Sequence, residues 1–77
     1  MTKQDILQAI DDGDLQPKFA EHLSSIENVL EQAQFTRDFI DTLKSLENEK
    51  IIYPFKTVGA TLGAIIPASW DEIRRHE

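Results

Sequence analysis

Seventy-seven residues, with eight Lys and Arg against 14 Asp and Glu, make a small acidic chain of net charge −6. A chain of this size buries only about 60% of its unfolded surface, and with no cysteine neither a disulfide nor a thiolate zinc site can reinforce the core. The charge is uneven: residues 1–49 hold four basic and eleven acidic groups, net −7, and residues 50–77 hold four basic and three acidic groups, net +1. An acidic surface repels phosphate backbones and anionic lipid, so nucleic acid and membrane surfaces are disfavoured partners.

The N-terminal stretch MTKQDILQAIDDGD has no apolar run of signal-peptide length, and with the missing cysteines this points to a cytoplasmic chain. Thr2 precedes an apolar pattern of Ile6, Leu7 and Ile10, with Asp5 three residues on. That is a capping box, and it predicts a first helix over 3–11. Gly13 suits the left-handed position that ends a helix. The acids around it, Asp11, Asp12 and Asp14, read as a solvated turn, because Gln16, Pro17 and Phe19 spoil the alternating oxygens of a calcium loop.

From Lys18 to Glu49 there is neither Pro nor Gly. Apolar residues at Phe19, Leu23, Ile26, Leu30 and Ala33 fall four, three, four and three apart, which is a helical seam. Beyond Arg37 the stripe widens to Phe35, Phe39, Ile40, Leu43 and Leu46. The expectation is one long central helix over about 17–48, with Pro17 in its first turn. At 1.5 Å per residue it would be about 48 Å long, against a globule roughly 30 Å across. Either it breaks near Gln34–Arg37, with Thr36 as a new cap, or it projects and meets a second copy. The second option makes Phe19, Leu23, Ile26 and Leu30 a homodimer seam.

Residues Ile51 to Trp70 carry a single charge, Lys56. Pro54 and Pro67 leave too short an apolar run between them to span a bilayer, which takes about 20 residues. The stretch therefore reads as a folded-back cover. Tyr53 before Pro54 is held extended. Val58, Leu62 and Ile65 or Ile66 recur at helical spacing from Thr57, with Gly59 and Gly63 on one face for close packing. Ser69 and Glu72 suggest a second capping box, opening a helix over 70–76. Val58, Leu62, Ile65 and Trp70 would cover the stripe from Phe35 to Leu46, and Phe55 and Trp70 would be core. The fold class expected is thus all-α: a single helical domain over 1–77, with a short N-terminal helix, one long helix and a helical C-terminal third.

No catalytic, cofactor or metal residues emerge. His22 and His76 lack the convergent ligands a metal needs, no Ser or Thr lies in an activating motif, and Val-Gly-Ala-Thr-Leu-Gly lacks the end of a phosphate loop. The chain reads as a non-catalytic binding protein that regulates or inhibits a protein partner with a basic surface. The face assigned to that partner is Glu27, Glu31, Asp38 and Asp41, with Tyr53 as an anchor, although a charged helix face is ordinarily just solvated. One alternative is a helix-turn-helix transcriptional regulator using Arg74 and Arg75, disfavoured because Asp71 and Glu72 would open its recognition helix. Another is an accessory or stabilising subunit of a larger complex.

Overall fold

The computed structural model describes residues 1–76. Helix α1, Lys3–Asp12, leads into α2, Leu15–Ser24, and then into α3, Val29–Asn48. Strands β1, Thr57–Gly59, and β2, Ile65–Pro67, form a two-stranded antiparallel hairpin, and a single 3-10 turn follows at Trp70–Glu72.

Helix α1 forms where its sequence signals lie. The Asp5 N–H donates to the Thr2 hydroxyl at 3.1 Å, and the Thr2 N–H donates to the Asp5 carboxylate at 3.2 Å. Gly13, at φ 74°, closes the helix in the left-handed region. Ile6 and Ala9 are the residues that this helix buries.

The long helix predicted over 17–48 is two helices, and the break lies at Ser25–Asn28, not at Gln34–Arg37. No Gly or Pro makes it. The Ser24 and Ser25 hydroxyls donate to the Glu21 and His22 carbonyls at 3.0 and 2.7 Å, offering the backbone an alternative to helical bonding. Asn28 then starts α3: its side-chain oxygen accepts the Leu30 and Glu31 N–H groups at 2.9 and 3.2 Å. Thr36 caps nothing. It is buried inside α3, with its hydroxyl donating to the Gln32 carbonyl at 2.9 Å. The break also removes the length conflict, since α2 and α3 fit a body of 37 × 21 × 18 Å.

Helix α2 begins at Leu15, two residues before Pro17. Proline thus occupies the third helical position and withdraws the N–H that Asp14, the capping residue, would normally accept. One Asp14 carboxylate oxygen is buried without a hydrogen bond.

The helical C-terminal third is also corrected. Two of its segments pair as strands, with Thr57 opposite Pro67, Val58 opposite Ile66 and Gly59 opposite Ile65. Leu62 and Gly63 turn the hairpin at φ 56° and 75°. No helix runs over 70–76. The Ser69 side chain makes no cap bond, and the Glu72 carboxylate instead accepts the Lys56 N–H at 2.9 Å. The tail pairs with the segment after α3: Ile52 bridges Arg75, and the Tyr53 N–H donates to the Arg74 carbonyl at 2.9 Å. The chain is therefore mostly helical with a small antiparallel sheet, not all-α.

One core unites these parts: Ile6, Phe19, Phe39, Leu43, Leu46, Ile52, Phe55 and Ile73 are all buried in it. Phe55 and Trp70 do serve it, with Trp70 tilted against Phe19 and Phe39 at 5.3 and 5.9 Å between ring centroids. The cover of α3 differs from expectation. Val58, Leu62 and Ile65 are exposed, and Ala64 and Pro67 are buried in the hairpin instead.

Candidate functional site

The solvent face of α3 is a stripe of Glu31, Gln34, Asp38, Asp41, Ser45 and Asn48, all exposed. They recur three and four residues apart, so they lie on one side of the helix. The opposite side is apolar and buried, with Phe39, Ile40, Leu43 and Leu46 in the core. That burial fixes the rotation of the helix and hence the direction of the carboxylates. From Glu31 to Asp41 the stripe is about 15 Å long at 1.5 Å per residue.

The two cations of α3 do not neutralise this face. Arg37 donates to the Leu62 carbonyl at the hairpin tip. Lys44 stands 4.5 Å above the Phe55 ring centroid and 3.9 Å from the Glu47 carboxylate. Elsewhere Lys3 pairs with Glu49 and Arg75 with Asp11, each at 2.8 Å. Among the described residues no ion pair engages Glu27, Glu31, Asp38 or Asp41. Asp38 accepts from the Gln34 side-chain amide at 2.9 Å, which orients it along the stripe.

Sequence reasoning placed five residues on this face, and the structure brings three of them together: Glu31, Asp38 and Asp41. Glu27 lies in the connection just ahead of α3 and is exposed there. Tyr53 belongs to a different element. It is 38% exposed, and its ring packs on His76 with centroids 4.5 Å apart. The four seam residues do not share one surface. Phe19 is 5% exposed and stacks in the core, Leu23 and Ile26 are half-buried beside the α2–α3 break, and Leu30 is 71% exposed.

A shallow apolar cleft of about 260 Å³ lies between α2, the first half of α3 and the hairpin, among Phe19, Leu23, Val29, Ala33, Ala64 and Ile66. Among the described residues no group of three or more His, Asp or Glu side chains converges as a metal site would require. Also among them, no helix is long and apolar enough to cross a membrane. The Asp5 carboxyl is held below its ordinary titration range. The Thr2 backbone N–H, and then the Thr2 hydroxyl, hold it low.

The helix pair that a helix-turn-helix reading requires is absent from residues 57–76, where the hairpin and the 3-10 turn stand instead. Comparison with family models, with curated proteins and with solved structures returns no match.

Proposed function

We propose that this chain is a non-catalytic binding protein that regulates or inhibits a protein partner, docking a basic surface of that partner on the acidic face of α3. The observation that supports this reading is the unneutralised stripe of Glu31, Asp38 and Asp41, with both helix cations turned to other tasks. A merely solubilising face would be served as well by mixed signs. Carboxylates held in a row on a rigid helix steer a complementary surface and set its orientation. Glu27 extends the field beyond the helix start. Tyr53 serves as a separate contact at most, because it stands on the segment that pairs with the tail. The cytoplasm is the compartment proposed, since a chain without cysteine makes no use of an oxidising one.

The test is capture from nuclease-treated lysate of the native host, run in parallel with wild-type protein and the Glu31→Lys/Asp38→Lys variant. Both substituted side chains are exposed, so the fold should be retained and circular dichroism should match. One recurrent protein bound by wild type and lost with the variant supports the reading. Equal recovery by both, or no recovery by either, overturns it.

A further inference from the structure

The hairpin offers an interface that the acidic stripe does not explain. Residues Thr57 to Ala68 carry no charge at all. The Ala60 N–H donates to the Ala64 carbonyl and the Ala68 N–H to the Lys56 carbonyl, each at 2.8 Å. Bonded pairs alternate in an antiparallel ladder, so Val58 and Ile66 form the bonded pair between these two. Thr57 and Gly59 then direct their N–H and C=O groups away from β2. Helix α3 packs on β2, so β1 is the strand on the far side of the hairpin from the helix. Among the described residues no hydrogen bond outside the hairpin ladder engages Thr57 or Gly59. Natural sheets protect such edges with shortness, charge, proline or a covering element; among the described residues β1 has only its three-residue length and the neighbouring Lys56, and no proline or covering element.

We propose that a second copy of this chain pairs along β1, antiparallel about a two-fold axis at Val58. The two hairpins then form one four-stranded sheet in the order β2, β1, β1, β2. The register is self-complementary: Thr57 of each copy bonds Gly59 of the other, and the two Val58 side chains lie side by side. Val58 is 46% exposed, so the pairing covers an apolar side chain that the single chain leaves in water.

Charge selects this occupant over a basic peptide. The cation adjoining the edge is Lys56, and Arg37 lies at the hairpin tip, where it donates to the Leu62 carbonyl. They repel a basic strand. Two copies of net charge −6 also repel each other, and the uncharged hairpin is where they approach at least cost. With so short a strand the interface sits at the small end of the size range, where complexes are weak and transient. Salt screens the remaining repulsion between the copies, so association should strengthen with ionic strength. Docking on the acidic stripe should weaken with it, and either proposal can fail without the other.

Sedimentation equilibrium and amide NMR test this, from micromolar to millimolar protein at low and high salt. The expected result is a mass that rises toward the dimer, more so at high salt, with the Thr57 and Gly59 amides shifting as it does. Val58→Lys sets two like charges at the axis and should weaken association by at least about tenfold, whereas Val58→Thr should retain it. A monomer at millimolar concentration in high salt overturns the proposal. So does a dimer whose shifted amides are those of Val29 and Leu30 and which ignores Val58→Lys.

Discussion

The Gln32 side-chain amide donates to the Ile26 carbonyl at 2.7 Å, across the turn that separates α2 from α3. A second, longer bond of 3.4 Å reaches the Leu23 carbonyl. One side chain thus satisfies the Ile26 carbonyl in the connection and adds a second donor to the Leu23 carbonyl, which already accepts the Ile26 N–H at 3.1 Å. Gln32→Leu should cost about 1 kcal/mol, the net worth of such a bond, read as a lower urea midpoint at unchanged slope.

The end of α3 stores strain that can be removed. Lys50 sits at φ 61°, and the bonds from Ile51 to Leu46 and from Lys50 to Glu47 make the helix-ending motif that usually holds glycine. Lys50→Gly should stabilise the fold by about 1 kcal/mol, because the left-handed backbone is costly for a residue with a Cβ. Thermal unfolding followed by circular dichroism checks the sign.

Leu43 is fully buried at the centre of the core, and Leu30 is 71% exposed. Leu43→Ala should cost about 2–5 kcal/mol, a large share of the stability of any small domain. Leu30→Ala should change stability by less than about 0.5 kcal/mol. Equal costs would mean that α3 is rotated from the orientation described, and the acidic stripe with it.

Acid unfolding should report the first capping box. The Thr2 N–H and then the Thr2 hydroxyl hold Asp5 below its ordinary range in the folded chain. The folded state therefore binds fewer protons than the unfolded one across that range, and stability rises with pH there. The contribution is present above the unfolded value near 3.9 and is lost as pH falls through the lower folded value. Asp5→Asn removes the titrating group and should flatten this acid limb, its cost appearing at neutral pH and shrinking as pH falls, whereas Thr2→Ala keeps the backbone N–H and should flatten it only in part.

Some of this was legible in the residues and some was not, for identifiable reasons. Thr2, Asp5 and Gly13 fix α1 through local bonds, which sequence carries directly. The broad stripe from Phe35 to Leu46 gave the buried face of α3 and, by opposition, the face of Glu31, Asp38 and Asp41. The α2–α3 break hid because Ser24, Ser25 and Asn28 act by side-chain bonds, while the seam from Phe19 to Ala33 keeps its spacing through them. The hairpin hid because Val58, Leu62 and Ile65 imitate a helical period. The β-branched residues of Thr57-Val58 and Ile65-Ile66, around a glycine-containing turn and before Pro67, were the signal for strands. The open β1 edge depends on that pairing, so it could not be seen without it.

The most direct measurement of the central claim is the association rate between this chain and the protein it captures, followed by stopped flow as ionic strength rises. Steering by Glu31, Asp38 and Asp41 predicts a rate that falls steeply with salt and is already low at low salt in the Asp38→Lys variant, with dissociation little changed. A rate indifferent both to salt and to that substitution would contradict docking on the acidic face of α3.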